Sequence, residues 1–290
     1  MKIGLGTVQF GLDYGVSNKS GKTPVEEVRR IIEAAAQNNV RVIDTAALYG
    51  TSEDALGMAL PAGHGFDIVT KTIKFSKVTI GVDDAASLES AFARSLSRLK
   101  ASSVYGLLIH DADDLLKEGG GRLFEKMVEL KEAGLVKKIG ASVYTAGQID
   151  RLLSGPPIDL VQLPVNVLDQ RLIRSGHLAK LRSADVEVHG RSAFLQGLLL
   201  MDPDGLAPFF EPIKEHLRRY HGFLEGAGIS PVHGAIGFVT GIDEVDTVVC
   251  GVETKDQLLG ILKARPLSSP AFDAFAVSDE SMLNPAKWTI

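Results

Sequence analysis

The sequence predicts an α/β chain folded as a closed (β/α)8 TIM-type barrel. Eight short apolar runs, rich in β-branched residues, alternate with longer amphipathic segments along the chain. Runs of this length are typical of parallel strands that are buried on both faces. The 290 residues suit one barrel, because single α/β barrels routinely reach about 250 residues. We therefore expect one domain over residues 1–290, since no linker-like stretch interrupts the alternation.

The eight predicted strands are, in chain order, Ile3–Thr7, Val40–Ile43, Ile68–Thr70, Val104–Ile109, Lys138–Ala141, Leu160–Leu163, Val186–Val188 and Thr247–Cys250. The first helix is predicted after Thr23 and Pro24, where a cap, a proline and two acids precede apolar residues at helical spacing. Helices with the same spacing are Ala85–Leu99, Leu123–Ala133, Gln148–Leu153, Leu172–Leu181 and Asp256–Leu262. An additional helix over Pro208–Gly226, followed by another over Pro231–Val239, is predicted between strands seven and eight.

A C-terminal tail over residues 266–290 follows the last of these helices. It is weakly periodic and contains Pro270, Pro285 and the only tryptophan, Trp288. We expect this tail to pack against the outside of the barrel, and a strap that reaches the barrel mouth is the alternative.

Composition and charge argue against several classes of protein. The chain is 45% hydrophobic and 23% charged with a net charge of −5, so it has no overall electrostatic reason to hold a nucleic acid. Its one cysteine, Cys250, cannot form an internal disulfide, which favours a reducing compartment. No signal peptide, membrane span or metal-ligand spacing of histidines is recognisable. We therefore expect a cytoplasmic protein without nucleic-acid, membrane or metal partners.

Three predicted strands run directly into an ionisable residue. Asp44 follows the second strand, Lys71 the third and His110 the fourth. Because the carboxyl ends of barrel strands form the functional face, we expect these side chains to converge on one sector of the barrel mouth. A structural ion pair between Asp44 and Lys71, with His110 as a core histidine, is the alternative when each residue is taken alone.

A tyrosine stands on the loop above the second strand. Tyr49 lies five residues beyond Asp44 and directly precedes a glycine. A phenol has an ordinary pKa of about 10, and a neighbouring lysine ammonium lowers it towards the range of a general acid. We expect Tyr49 to donate a proton beside Lys71, while Asp44 keeps the lysine charged. His110 can then polarise a carbonyl oxygen.

These residues resemble the signature of the aldo-keto reductase superfamily. The stretch 42–53, with Lys71 and His110 on the next two strands, is similar to the part of that family that carries its Asp, Tyr, Lys and His tetrad. Four later stretches resemble family motifs on strands five to eight: Ile139–Ser142, Val161–Asn166, Ser192–Leu199 and Gly251–Leu258. The resemblance thus extends along nearly the whole chain and implies the same barrel fold.

The resemblance further implies hydride transfer from a reduced nicotinamide to an aldehyde or ketone, with Tyr49 as the proton donor. It implies NADPH as the cofactor and leaves NADH open. Residues 194–197 are expected to wrap the pyrophosphate, because small residues and glycine there let backbone amides reach phosphate oxygens. The expected cofactor-binding residues are Thr7, Asp44, Ser142, Gln162, Arg191, Ser192, Phe194, Leu195, Gln196, Gly197, Gly251, Val252, Glu253, Thr254 and Gln257.

Several residues depart from the family pattern. Val143 replaces an asparagine, and Arg191 stands where many members have an aromatic residue against the nicotinamide ring. We hypothesise that the Arg191 guanidinium stacks there and, being cationic, opposes the oxidised ring. Glu253 and Thr254 occupy positions where NADP-using members often carry a basic group, and Glu253 is expected to repel a 2′-phosphate unless Lys255 compensates.

The sequence says less about the substrate. Asp111 replaces a large residue after His110, which suggests a polar mouth and a sugar-like carbonyl substrate unless Asp111 points into solvent. Candidate residues for the pocket wall are Phe10, Tyr14, Ile73 and Phe75. Two other functions stay open: a nucleotide-binding regulatory subunit with little turnover, and an aldolase-type barrel with a Schiff-base lysine. The oligomeric state is not indicated.

Overall fold

Eight parallel strands close into a barrel in the computed structural model, which describes residues 2–267 and 270–289. Each strand pairs with the next in the chain, and the eighth pairs with the first. The strands are β1 (Ile3–Gly6), β2 (Val42–Asp44), β3 (Asp67–Lys71), β4 (Val104–Ile109), β5 (Val136–Ser142), β6 (Leu160–Pro164), β7 (Glu187–Arg191) and β8 (Thr247–Gly251). The predicted fold is confirmed. Residues 1 and 290, the ends of the predicted domain, and residues 268 and 269 of the predicted tail lie outside the described residues.

The helices lie between the strands and around the mouth. They are α1 (Val8–Gly11), α2 (Val25–Gln37), α3 (Ser52–Ala59), α4 (Val82–Leu99), α5 (Asp113–Leu116), α6 (Gly121–Glu132), α7 (Ala146–Leu153), α8 (Arg171–Arg174), α9 (His177–Ser183), α10 (Glu211–Gly226), α11 (Pro231–Thr240), α12 (Lys255–Leu262) and α13 (Glu280–Leu283). The additional helices α10 and α11 lie between β7 and β8, as predicted. Among the described residues, no helix combines the length and apolar character that crossing a membrane requires.

The predicted helix over residues 172–181 is wrong as a continuous element. It is divided into α8 and α9 at Gly176, which has a φ of 73°. This left-handed conformation is readily adopted by glycine but is incompatible with a continuing right-handed helix. A glycine inside an otherwise periodic segment therefore ends one helix and begins the next.

The interior of the barrel is layered, because alternate residues of each strand point inward. Four buried apolar side chains form a cluster in the middle of the barrel: Val42, Val69, Leu108 and Leu160. Two positions further along their strands, towards the carboxyl ends, stand Asp44, Lys71, His110 and Gln162. The apolar layer thus forms the floor beneath a polar layer at the mouth.

A charged network lies at the amino ends of the strands, opposite the mouth. Glu187 Oε2 accepts hydrogen bonds from the Tyr105 hydroxyl and from Lys138 Nζ, each at 2.6 Å. Glu187 Oε1 lies 2.7 Å from His189 Nε2. Burial alone would raise the pKa of Glu187, but the hydrogen bonds from His189, Lys138 and Tyr105 outweigh burial and lower the pKa to about 2.

The C-terminal tail packs on α10 and α11, in line with the expectation. The Phe272 and Phe275 rings contact Phe223, and the Trp288 ring meets Phe210 edge to face at 4.9 Å between centroids. The Val277 amide donates to the Leu168 carbonyl, which ties the tail to the loop after β6.

We predict that Glu187→Gln lowers the free energy of unfolding by about 2 kcal/mol at pH 7, because it leaves buried donors without a charged acceptor. The folded-state pKa is depressed from 4.5 to about 2, so this stabilisation is present above pH 4.5 and is lost as the pH falls towards 2. Urea unfolding of both proteins at pH 7 and pH 3 measures the difference, which shrinks at the lower pH. Glu215→Gln, which removes an exposed partner of Arg218, is the control and costs less than about 0.5 kcal/mol. Equal losses in both variants would contradict the role of this network.

Candidate active site

A cavity of about 720 Å³ opens at the carboxyl ends of the strands. Its volume lies within the range of about 300–1,000 Å³ that is usual for small-molecule and cofactor sites. All four residues of the predicted tetrad line it: Asp44, Tyr49, Lys71 and His110. The sequence-based expectation that they converge is therefore matched by their positions.

A buried ion pair joins two of these residues. Lys71 Nζ lies 2.6 and 2.7 Å from the two Asp44 carboxylate oxygens and donates to the Thr45 carbonyl at 3.0 Å. Asp44 is 3% exposed and Lys71 2% exposed. Burial alone would lower the pKa of Lys71, but the Asp44 carboxylate more than offsets burial, and the pKa is raised. A lysine held as an ammonium is a poor nucleophile, which argues against the Schiff-base alternative.

The Tyr49 hydroxyl lies 3.4 Å from Lys71 Nζ, and this ammonium is 4.9 Å from the centre of the Tyr49 ring. The expected lowering of the Tyr49 pKa is wrong. Burial, the largest influence, raises the pKa, and the opposing effect of Lys71 does not cancel it because Asp44 acts in the same direction as burial. Tyr49 consequently holds its proton at neutral pH.

The loop that carries Tyr49 depends on a close backbone contact that the sequence analysis missed. A Cβ at Gly11, the last residue of α1, would collide with the Tyr49 carbonyl oxygen and the Ser52 amide. Gly50 has a φ of 56° and faces the Gly11 carbonyl. The Ser52 hydroxyl donates to the Thr7 carbonyl at 2.8 Å and closes the loop onto β1. The close contact between Gly11 and Gly50 thus determines where the Tyr49 side chain lies above the ends of the strands.

His110 is neutral at ordinary pH. Burial lowers the pKa of His110 to about 3, and the charges of Lys71, Lys74 and Arg191 add to this effect. The ring meets the Tyr49 ring edge to face at 6.0 Å between centroids. A neutral imidazole beside a phenol can donate a hydrogen bond to an oxygen without competing for the phenol's proton.

Two of the predicted cofactor residues support Asp44. The Gln162 amide nitrogen donates to Asp44 Oδ1 at 2.7 Å, and the Thr7 hydroxyl donates to the Asp44 carbonyl at 2.9 Å. Ser142 lines the cavity at the end of β5. The Gln162 amide therefore completes the hydrogen bonds of the buried carboxylate and also faces the cavity.

The loop after β7 has an unusual backbone. Ser192, Leu195 and Gln196 have φ values of 62°, 48° and 55°, and Gly197 follows with 93°. Each non-glycine residue in the left-handed backbone conformation costs of order 1 kcal/mol, and such residues often mark functional loops. A Cβ at Gly197 would collide with the Ser17 hydroxyl, so the loop after β1 packs directly on this one. Four of the predicted residues line the cavity here: Ser192, Phe194, Gln196 and Gly197.

The far end of the cavity is formed by β8, α11 and α12. Gln257, Gly260, Ile261 and Ala264 line it at the spacing of one helical face. Gly251, Val252 and Glu253 also line it, as predicted. The Gln257 side chain additionally accepts the Glu253 amide at 2.7 Å. Lining residues that the sequence analysis missed are Gln9, Ser17, Tyr144, His233 and Lys263.

Two predicted cofactor residues do not line the cavity. Leu195 is fully buried in the core, where it anchors its loop. Thr254 caps α12 by accepting the Gln257 amide at 3.2 Å. In both cases the side chain has a structural role, and its assignment to the cofactor stays a prediction.

The predicted substrate wall is also largely wrong. Among its four residues, Tyr14 lines the cavity, whereas Phe10 and Phe75 are buried in the core and Ile73 packs against it. Asp111 accepts the Asp113 amide at 3.2 Å at the start of α5 and does not line the cavity. Asp111 therefore gives no support for a polar, sugar-like substrate.

The residues present fit a nicotinamide dinucleotide. Within residues 2–267 and 270–289, Gln9 Oε1 and His110 Nδ1 are buried without a hydrogen-bond partner, and both side chains line the cavity. The amino-terminal ends of α11 and α12 border the same cavity through Ser230 and Glu253, and helix amino termini favour phosphate. The described part of the chain contains no cluster of three or more potential metal ligands.

Comparison with known proteins agrees with the geometry. The chain is 29% identical over 183 residues to aldo-keto reductase YhdN of Bacillus subtilis (strain 168), a match covering 60% of this chain and 53% of that protein. It is 26% identical over 183 residues to methylglyoxal reductase DkgA of Yersinia pestis, covering 60% and 64%. The matched segments thus span about half to two thirds of these relatives.

Solved structures share the fold over almost the full length. The aldo-keto reductase AKR11C1 from Bacillus halodurans superposes with a TM-score of 0.74 at 20% identity, covering 99% of this chain and 93% of that one. The glycerol dehydrogenase AKR11B4 from Gluconobacter oxydans gives 0.73 at 21% identity, covering 98% and 92%. The model of the aldo/keto reductase family matches residues 2–278. The chain therefore belongs to the aldo/keto reductase family.

Proposed function

We propose that the protein reduces an aldehyde or ketone with a nicotinamide cofactor, using Tyr49 as the proton donor. The observation that carries this proposal is the contact of the Tyr49 hydroxyl with the buried Lys71 ammonium, 3.4 Å away, inside the cavity. A protein that only bound nucleotide would have no need for a protonated phenol beside a buried ion pair. Membership of the family supports the same reaction class.

The reaction requires a proton at the carbonyl oxygen and a hydride at the carbonyl carbon. The chemistry that a reduced nicotinamide supplies when bound is hydride donation to that carbon. His110 donates a hydrogen bond to the oxygen and draws electron density towards it. Tyr49 transfers its proton to the oxygen as negative charge develops there. Lys71 stabilises the resulting phenolate until a proton from solvent restores the phenol.

The remaining lining residues are proposed to hold the cofactor. Ser142 and Gln162 would hold the carboxamide of the nicotinamide, Thr7 and Asp44 would hold the adjoining ribose, and Arg191 would lie beside the ring. The loop Ser192–Gly197 would hold the pyrophosphate through Ser192, Phe194, Gln196 and Gly197. The segment Gly251–Glu253 and Gln257 would hold the adenosine end. NADPH is the proposed cofactor, and Lys263 provides a cation at this end of the cavity.

The proposed substrate is a small carbonyl compound. One relative is named as a methylglyoxal reductase, and methylglyoxal carries both an aldehyde and a ketone, so it is a suitable first substrate for assay. Tyr14 contributes an aromatic ring to the cavity wall, and its hydroxyl accepts a hydrogen bond from the Gln196 side-chain amide at 3.2 Å.

We predict that Tyr49→Phe lowers kcat about 10²–10⁴-fold, the usual contribution of a general acid. Steady-state oxidation of NADPH with methylglyoxal measures it, and titration of nucleotide fluorescence is expected to give an affinity within about twofold of the parent, because only the hydroxyl is removed. Tyr14→Phe, which removes a different phenol hydroxyl from the cavity wall, is the control and lowers kcat less than tenfold. If the Tyr49→Phe enzyme is as active as the parent, Tyr49 is not the proton donor.

We predict a broad, flat pH profile of kcat/KM. Because the pKa of His110 is about 3, its neutral form persists down to strongly acidic pH, and because burial raises the pKa of Tyr49, its proton is retained up to alkaline pH. Activity therefore falls below about pH 4, stays level through neutral and mildly alkaline pH, and has no step near 6.5. Initial rates at saturating cofactor in overlapping buffers give the profile. A fall in kcat/KM that begins below pH 9 would mean that Lys71 lowers the pKa of Tyr49 more than burial raises it.

We predict that Glu253→Gln raises the affinity for NADPH relative to NADH about three- to tenfold. The Glu253 carboxylate lines the cavity and repels a 2′-phosphate, which NADH lacks. Calorimetric titration with both nucleotides gives the ratio. Asp256→Asn, an acid on α12 that faces solvent, is the matched control and leaves the ratio unchanged. Equal gains for both nucleotides would show that Glu253 does not face the 2′ position.

A further inference from the structure

The charges at the catalytic end of the cavity do not cancel. Lys71 and Asp44 neutralise each other through their two short contacts. His110 is neutral because its pKa is about 3, and Tyr49 keeps its proton because its pKa is raised. Arg191, at the end of β7, then adds one positive charge to this end of the cavity. The residues that line the reacting centre therefore have a net charge of about +1. Lys74, whose charge also lowers the pKa of His110, is exposed and does not line the cavity.

Arg191 is held in the cavity wall without an acidic partner. Its guanidinium carbon lies 4.2 Å from the centre of the Tyr144 ring, and its nitrogens lie 3.4 Å from the Ser192 hydroxyl and from the Val143 carbonyl. No carboxylate of the described residues forms an ion pair with it. The residue is half-buried, so water screens its charge only in part.

The field of Arg191 reaches the atoms that react. Burial dominates the pKa shifts of both Tyr49 and His110, and the Arg191 charge acts to lower both values. Tyr49 and His110 would flank the carbonyl group of the substrate. A nicotinamide that donates hydride to the carbonyl carbon must contact that carbon, so it would lie in the same electrostatic field of Arg191.

We propose that Arg191, stacked on Tyr144, makes the site discriminate between the two redox states of the nicotinamide. The oxidised ring carries one positive charge that the reduced ring lacks, and an uncompensated guanidinium opposes that charge. The protein then binds the reduced cofactor more tightly and releases the oxidised cofactor more readily, which favours carbonyl reduction over alcohol oxidation. This inference rests on the proposed function, because it requires a nicotinamide in the cavity.

Tyr144 is the positioning residue in this arrangement. Its ring covers one face of the guanidinium, and the cation–π contact offsets part of the cost of burying a charge. Replacing the ring by an aliphatic side chain keeps the charge but removes its support, so Arg191 gains freedom to turn towards solvent.

The test compares dissociation constants rather than turnover. Calorimetric titration of the parent with NADPH and with NADP⁺ is expected to show at least about tenfold tighter binding of the reduced form. Arg191→Gln removes the charge and lowers this ratio to about threefold or less, mainly by tightening NADP⁺. Arg191→Lys keeps the charge and retains most of the ratio. Tyr144→Leu gives an intermediate value.

Lys263→Gln is the matched control, because it removes a cation from the far end of the same cavity. It is expected to weaken both redox forms equally and leave their ratio unchanged. A parent that binds NADP⁺ as tightly as NADPH would overturn the inference without any variant, and so would an Arg191→Gln protein with the parent ratio. Failure of the parent to bind any nicotinamide nucleotide would instead overturn the proposed function, so the two failures are distinguishable.

Discussion

The buried ion pair between Lys71 and Asp44 is the constraint on which the catalytic end of the molecule depends. The two buried charges are 2.6 and 2.7 Å apart, and the pair is tolerable because further hydrogen bonds support both groups. The Thr45 carbonyl takes a third lysine hydrogen, and the Gln162 amide satisfies Asp44. Removing either partner would leave a bare buried charge at a cost of about 3–5 kcal/mol. The geometry around Tyr49 follows from this fixed ammonium.

Burial, more than neighbouring charge, decides the protonation of the site. The apolar layer beneath the mouth keeps the polar groups at the strand ends poorly solvated, which penalises their charged forms. That penalty raises the pKa of Tyr49 and lowers the pKa of His110, so both hydrogen-bonding groups are neutral. The same layer separates them from the Glu187 network at the opposite end. The Lys71–Asp44 pair and the Glu187 network are therefore each compensated locally, at their own ends of the barrel.

The sequence was sufficient for the architecture and for the convergence of Asp44, Lys71 and His110, because both depend on the period of apolar residues along each strand. A strand that ends in Asp44, Lys71 or His110 delivers that residue to the mouth whatever the loops do. The sign of the Tyr49 pKa shift could not be predicted, since it depends on how deeply the hydroxyl is buried. The same alternation, continued two positions beyond the central layer, would have identified Gln162 as a mouth residue without a family resemblance.

The loops were predicted less well, because the spacing of residues in the sequence does not show which loop side chains pack into the core and which face the cavity. Leu195 lies in a stretch assigned to the pyrophosphate, yet its side chain is buried, and Asn166 donates to the Ser192 carbonyl from the other side at 3.1 Å. These two anchors hold a backbone that three non-glycine residues strain into the left-handed region. The strain persists because the core on one side and the loop after β1 on the other leave no relaxed alternative. A side chain buried in the core can thus determine the backbone conformation of a loop that lines the cavity.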